Sequence, residues 1–149
     1  MRNLTPGGTF YVFKSMDENF LQSIEDLAER DGRFKKDAYL FIYDALQYTV
    51  DKLGKTELPT EERHISGRDL LYGISEFALD QLGPLTRSVF AHWGIHKTRD
   101  FGEIVFNLVE AKLMSKTERD NIEDFIDIYD FADEFDWKKR KANFKRLPA

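Results

Sequence analysis

The sequence contains no cysteine, and this absence excludes several kinds of chemistry. Without cysteine there is no disulfide framework, no thiolate nucleophile and no cysteine-ligated zinc site. Long apolar runs are missing too, since none approaches the roughly 20 residues that a membrane-spanning helix needs. The first residues, which read MRNLTPGG, lack the basic and then apolar layout of a secretory signal. We therefore predict a cytoplasmic protein without a membrane partner.

Positive charge is scarce in most of the chain and is concentrated near its C-terminal end. Residues 138–149 carry six basic side chains and no acidic one, whereas residues 1–137 carry 16 basic against 27 acidic side chains. The adjoining segment 118–136 has nine acids and one arginine. Two interpretations stay open: the basic tail neutralises the protein's own acidic surface, or it binds phosphates.

Apolar and aromatic side chains are plentiful, and their spacing indicates helices. A chain of 149 residues can bury about 68–70% of its unfolded surface, which suffices for a core without covalent crosslinks. Apolar residues recur at helical spacing in five segments, so we predict a mainly α fold with about five core helices. A single helical domain is expected over 1–137, followed by a basic tail at 138–149. Its parts are a helical hairpin at 15–54, a linker at 54–65 and a helix-turn-helix-like part at 66–137.

Capping signals predict where several helices begin and end. Ser15 and Glu18 have the spacing of a capping box at the start of the first helix. Ser66 is expected to cap the third helix, and Gly94 to end the fourth. Asp100 is expected to open the fifth.

The segment after the fifth helix fits two patterns. Its run FIDIYDF alternates as a strand does, while the apolar residues of 122–135 also fit a helical stripe. We predict a short β-hairpin around residues 112–130, followed by a terminal helix. A hairpin behind a helix-turn-helix would make the C-terminal half winged-helix-like.

Three stretches of the chain resemble a family of small bacterial proteins of unknown function. They read AYLFIYDALQYT at 38–49, HISGRDLLYG at the start of 64–125, and YDFADEF at 129–135. The resemblance covers about residues 37–135. It implies no activity, cofactor or catalytic residue, because none is established for the family.

The helix-turn-helix pattern raises the possibility of DNA binding, but its charge argues against that function. The helix expected at 100–114 would have to present donors to bases and phosphates. It offers Lys112 and Asn107 against three acids, and duplex DNA carries one negative charge per ~1.7 Å. We therefore predict that sequence-specific duplex DNA is not the partner.

Other candidate chemistry is better explained by structure. His92 and His96 are four residues apart, as metal ligands on a helix can be, but Gly94 interrupts that helix. Ser66 lies near His64 and is already expected to cap a helix. The acidic run lacks the spacing and the glycine of a calcium-binding loop. We predict no catalytic, metal or cofactor site.

Aromatic side chains at helical spacing could line a pocket, but core positions are the more common use of this pattern. We predict core positions for most of the seven candidates: Tyr39, Tyr43, Tyr48, Tyr72, Phe77, Phe90 and Trp93.

Three functional hypotheses remain. The first is a non-catalytic protein-interaction or regulatory module, docking through a winged-helix-like surface or an acidic face. The residues of that face are Asp120, Glu123, Asp124, Asp127 and Asp130. The alternative is RNA, other nucleic-acid or ribosome association through the tail, with contacts from Trp137, Lys138, Lys139, Arg140, Lys141, Phe144, Lys145 and Arg146. The second alternative is an enzyme whose pocket is assembled from residues distant in sequence.

Overall fold

Helices account for the regular structure of the chain, as its apolar periodicity predicts. The computed structural model describes residues 17–59 and 62–148. The longer helices are α1 Glu18–Asp31, α2 Lys36–Lys52, α3 Gly67–Leu82, α4 Thr86–Trp93 and α5 Thr98–Glu110. Shorter elements are 3-10 helices at Gly83–Leu85 and Ile122–Phe125, and helices α6 Phe131–Glu134 and α7 Trp137–Arg140. The predicted mainly α fold with five core helices is confirmed. No helix among the described residues is long and apolar enough to cross a membrane.

The β-hairpin predicted around residues 112–130 is wrong, because the described part of the chain contains no strand there or elsewhere. Asn121 and Asp124 cap the 3-10 helix Ile122–Phe125 in the middle of the supposed hairpin. Asp127 then adopts a left-handed conformation, with φ of 51°, which an extended strand does not allow. Without the hairpin there is no wing beside the helix-turn-helix.

Helix α2 lies at the centre of the bundle and packs against α1, α3, α4 and α5. Its contact with α3 is close because Gly73 has no side chain. A β-carbon at Gly73 would collide with the side chain of Thr49 on α2. Since α2 and α3 pack directly together, the segment 54–65 connects two parts of one core.

The turn before α2 and the turn after α4 interlock. Gly94 ends α4 as predicted, in a left-handed conformation with φ of 93°. A β-carbon at Gly94 would also collide with the carbonyl oxygen of Arg33. Nearby, the backbone N–H of Lys35 donates to the carbonyl oxygen of Trp93 at 3.2 Å. These contacts place Trp93 beside the N-terminal half of α2.

Two of the predicted helix starts need correction, and one is confirmed. The hydroxyl of Ser66 accepts from the backbone N–H of Asp69 at 3.1 Å, as expected of an N-cap. Asp17 caps α1, and Ser15 lies outside the described residues. Asp100 does not open α5: its carboxylate reaches back to the N–H groups of the preceding turn, so the helix begins earlier, at Thr98.

The C-terminal segment folds back onto α3, where the backbone N–H groups of Arg146 and Leu147 donate to Glu76. Arg140 and Leu147 are buried, with 6% and 7% of their surface exposed. Trp137 lies over the turn at Gly83, where α3 ends. The predicted single terminal helix is replaced by α6, α7 and an irregular stretch that returns to the core.

Candidate interaction surfaces

Helix α5 holds the position of a recognition helix but is enclosed by the rest of the protein. It packs against α2, α3 and the second 3-10 helix. The hydroxyl of Thr98 donates to the carbonyl oxygen of Phe125 at 2.6 Å, which ties the start of α5 to that 3-10 helix. Only Arg99 and Glu110 are exposed along α5. Arg99 pairs with Glu103 at 3.1 Å, so α5 presents no donor-rich face to a DNA groove.

The basic tail divides into exposed lysines and engaged arginines. The lysines Lys138, Lys139, Lys141 and Lys145 are exposed, and so is Arg146, although its guanidinium is bound to Glu134. Lys139 pairs with Asp133 at 3.1 Å, which leaves three lysines without an ion pair to a described residue. Trp137 and Phe144 lie against each other with ring centroids 6.3 Å apart, and both pack on the core. The predicted nucleic-acid contacts therefore do not form one free basic surface.

Both arginines of the tail bind the carboxylate of Glu134, which is 6% exposed. Arg140 Nη1 lies 3.2 Å from Glu134 Oε2, and Arg146 Nε lies 2.9 Å from the same oxygen. Arg146 Nη2 donates to the other oxygen at 3.2 Å, so its guanidinium grips the carboxylate at two points. The hydroxyl of Ser75 on α3 donates to Oε2 at 2.6 Å.

A second buried carboxylate, Glu76 on α3, holds the backbone of the tail. Glu76 is 2% exposed. Its Oε2 accepts from the consecutive backbone N–H groups of Arg146 and Leu147, and its Oε1 accepts from the Tyr48 hydroxyl at 2.8 Å. Two buried acids therefore bind one short segment of the tail.

Desolvation and charge oppose each other in this cluster. Burial alone would raise the pKa of Glu134, but hydrogen bonds from Arg146 and Ser75 and the charges of both arginines hold that pKa below its usual range. Burial lowers the pKa of Arg140, while the hydrogen bond to Glu134 raises the pKa of Arg146. The pKa values of the two arginines shift in opposite directions because Arg140 is the more deeply buried. Its side chain is 7% exposed, whereas that of Arg146 is 37% exposed. Arginine stays charged in either setting.

The five acids predicted to form a docking face do not act alike. Asp120, Asp124 and Asp130 each accept a hydrogen bond from a nearby backbone N–H, at 2.9 to 3.1 Å. These carboxylates stabilise turns and short helices, and Asp120 is 5% exposed. Glu123, Asp127 and Asp130 are exposed. Sequence proximity thus overstated this face, because most of its charge is used locally.

The histidines and Ser66 assemble no catalytic or metal site in the described residues. His92 and His96 lie on either side of the Gly94 turn and line different grooves. The buried Nδ1 of His64 has no hydrogen-bond partner among those residues, so it does not pair with the hydroxyl of Ser66. The described residues hold no group of three side chains suited to a metal ion.

A row of partly exposed aromatic side chains crosses three helices. This aromatic ridge consists of Tyr48 and Phe41 on α2, Phe77 on α3 and Trp93 on α4. Phe77 contacts both α2 residues, with ring centroids 5.2 Å from Tyr48 and 5.1 Å from Phe41. Trp93 continues the row at 5.4 Å from Phe41. The predicted core position is confirmed for Tyr39, Tyr43 and Phe90, which are buried. Three ridge residues, Tyr48, Phe77 and Trp93, were also candidates for the core, but they are partly exposed.

Three aspartates stand on the outer face of α2 beside the ridge. This aspartate column consists of Asp37, Asp44 and Asp51, all exposed and seven residues apart. Seven residues make almost two turns, so neighbouring members lie about 10 Å apart on nearly the same line. None of the three forms an ion pair with a described basic side chain, although Asp51 accepts a hydrogen bond from the Thr56 hydroxyl. The signal was present in the sequence as repeated spacing, with Phe41 and Tyr48 each four residues after an aspartate.

Further negative charge lies near the ridge. Partial desolvation raises the pKa of Asp44 above its usual value. Burial, the hydrogen bond to Glu76 and the charges of Glu76 and Asp80 all raise the pKa of Tyr48. Asp80 follows Phe77 by three residues, one turn along α3. One cation is present here, since Lys52 Nζ lies 5.6 Å from the centre of the Tyr48 ring. The ridge is thus flanked by carboxylates from both α2 and α3.

Comparison with protein families, with curated proteins and with solved structures finds no match to this chain. The resemblance to small bacterial proteins therefore stays a prediction, and the function must be argued from the surface itself.

Proposed function

We propose that this protein is a non-catalytic interaction module that binds a basic amphipathic helix of a partner protein along α2. The observation that carries the proposal is the aspartate column lying beside the aromatic ridge. It replaces the acidic run at 118–136 as the acidic docking surface.

The ridge supplies the apolar part of a helix-binding surface. An amphipathic helix docks through apolar side chains at positions i, i+3, i+4 and i+7, which fill a hydrophobic groove. Aromatic side chains are enriched at the centres of protein interfaces because they bury a large area with few rotatable bonds. The ridge residues are already held by ring contacts to one another, so binding would order little additional structure.

The column supplies complementary charge at the matching interval. Lysines or arginines seven residues apart on a partner helix recur about every 10 Å, as the aspartates of α2 do. Exposed carboxylates without ion-pair partners attract such a helix during encounter and fix its register. An acidic helix would be repelled by the same charges.

The proposal is tested with a designed 18-residue peptide of leucine and lysine at helical period, and with a scrambled peptide of equal composition. The variant D37N/D44N/D51N should bind the helical peptide at least 10-fold more weakly than the wild type does, as measured by fluorescence anisotropy. The matched control E118Q/E123Q/D127N removes the same number of charges from exposed acids of the 118–136 segment, and should bind as the wild type does.

Three results would contradict the proposal. Equal losses in the two triple variants would show that only net charge attracts the peptide. Equal binding of the scrambled peptide would remove the argument from spacing. Failure of the wild type to bind the helical peptide would remove the interaction surface altogether.

A further inference from the structure

We infer that Ser75, Glu76 and Glu134 form a binding site for a peptide segment in which arginine is followed by leucine. The protein's own Arg146 and Leu147 are the tethered occupant of this site. The inference rests on the C-terminal contacts and is independent of the proposed helix-binding surface.

The site recognises the arginine side chain specifically. Arg146 places Nε 2.9 Å and Nη2 3.2 Å from the two oxygens of Glu134. Two parallel hydrogen bonds to one carboxylate are a geometry that guanidinium provides and ammonium does not. Ser75 and Arg140 hold Glu134 in place from the other side, at 2.6 and 3.2 Å from its Oε2.

The site also recognises the peptide backbone and the following apolar side chain. The buried Glu76 carboxylate accepts from the N–H groups of two consecutive residues, Arg146 and Leu147. A ligand with proline at either position would lack one of these donors. The side chain of Leu147 is buried, at 7% exposure for the residue. The arginine side chain and the backbone are thus bound by separate sets of hydrogen bonds, and the leucine that follows is buried.

The stretch that joins this occupant to the rest of the chain makes fewer contacts. Lys141, Ala142, Asn143 and Lys145 are all exposed. Phe144 is the exception, since it packs on Trp137 and its carbonyl oxygen accepts from Arg140 at 2.7 Å. Within the described chain, residues 141–145 form hydrogen bonds only to nearby residues, as from the Lys141 N–H to Trp137 and from the Asn143 N–H to Arg140. The hydrogen bonds to Glu76 and Glu134 come from Arg146 and Leu147 at the far end, as in a peptide ligand on a linker. A tethered ligand has an effective concentration in the millimolar range, so the site is filled in the resting protein.

The first test vacates the site in the full chain and refills it in trans. The variant R146A/L147A is titrated with the synthetic peptide NFKRLPA, which has the sequence of residues 143–149. The melting temperature of the variant should rise with peptide concentration, because a ligand that binds the folded state stabilises that state. A peptide with lysine in place of arginine carries the same charge and should require at least a 5-fold higher concentration. The wild type should show no rise, since its site is occupied.

The second test does not depend on the folding of a vacated variant. A specific protease site is inserted between Ala142 and Asn143, where both neighbours are exposed. Cleavage leaves the occupant seated but no longer tethered, so fluorescently labelled NFKRLPA should exchange into the cleaved protein and not into the uncleaved one.

The outcomes of the two tests separate a binding site from a fixed part of the fold. Uptake of the peptide by the vacated or the cleaved protein, with preference for arginine, supports the inference. No uptake by either protein overturns it, as does loss of the fold that the peptide fails to reverse. Failure of the helical leucine–lysine peptide to bind the wild type would contradict the proposed function and leave this result unaffected.

Discussion

Glu134 shows how one residue can bind much of the C-terminal segment at the cost of its own desolvation. The side chains of Glu134 and Arg140 are each 7% exposed, so neither charge is solvated by bulk water. A buried ion pair offers little net stability compared with apolar residues of equal volume. Removing one partner is a different matter, because the other charge is then left buried and uncompensated.

Glu134→Gln should therefore destabilise the protein strongly at neutral pH. The change leaves Arg140 buried without its counterion, and breaking a buried pair typically costs about 3–5 kcal/mol. Urea unfolding of the variant and the wild type at pH 7 measures the difference. The exposed Glu118→Gln serves as the control, and a loss as small as that of the control would show that the cluster is not energetically coupled.

The lowered pKa of Glu134 also predicts how the stability of the protein changes in acid. The folded state holds the pKa of Glu134 below its usual range, whereas the unfolded chain has the ordinary value of about 4.3. The unfolded state therefore binds the proton first, so the stabilising contribution is complete above that value and is lost as pH falls through the folded pKa. Unfolding free energies measured between pH 7 and pH 3 should fall less steeply for Glu134→Gln than for the wild type. Parallel curves would exclude Glu134 as a source of acid sensitivity.

Contacts between elements concentrate at the crossing of α2 and α3, where Gly73 meets Thr49. Gly73→Ala should separate the two helices and lower the free energy of unfolding by about 1–3 kcal/mol, the usual range for overpacking. The double variant G73A/T49A restores the missing space, so its loss should be smaller than the sum of the single losses. Additive losses in chemical denaturation would show that the helices shift without strain.

Whether a helix could be predicted from the sequence depends on the interactions that stabilise it. Helices α1 to α5 carry an apolar stripe that packs into a shared core, and such a stripe is visible in sequence. The segment 118–136 is organised instead by carboxylates that bind nearby backbone N–H groups. Asp130 caps α6 and Asp136 caps α7, each immediately before the helix. Alternation of apolar residues suggested strands there, and an aspartate before each short helix was the stronger signal.

The candidate surface was predictable in part for a related reason. Tyr48 and Phe77 have the spacing of core residues. Phe77 packs against the core along one side, and Tyr48 contacts the Phe77 ring. Their rings meet where α2 packs against α3, a contact distant in sequence that no local pattern reports. The aspartate column could be predicted from the sequence once the boundaries of α2 were known, because its members are seven residues apart. The arginine cluster could not be predicted, because Ser75 and Arg146 lie 71 residues apart and meet only when the tail folds back.

At the scale of the whole molecule, the fold redistributes a charge that is strongly divided along the chain. The basic tail lies against two buried acids of the helical body, so part of its charge is neutralised internally. This supports the interpretation that the tail compensates the protein's own acids. The remaining exposed carboxylates, including those of α2, give the body a surface suited to basic partners.

The location of the tail changes how nucleic-acid binding must be tested. Deleting residues 138–149 would remove both Arg140 and Arg146 and leave Glu76 and Glu134 buried without those partners. A loss of binding in that truncation would not distinguish contact from unfolding. The variant K138A/K141A/K145A removes the exposed lysines that lack an ion pair to a described residue and keeps the buried cluster intact.

We expect the full wild-type chain to show no sequence-specific, submicromolar binding to duplex DNA at physiological salt. Helix α5 is enclosed, and groove contacts of about 1–3 kcal/mol each need donors that it does not present. Weak binding at low salt should disappear in the triple variant. Three phosphate contacts would give log affinity a slope of about −3 or shallower against log salt concentration. Fluorescence anisotropy of labelled duplexes measures both quantities. A steeper slope, or tight binding retained without the three lysines, would place the nucleic-acid contacts on another surface and contradict the enclosed role of α5.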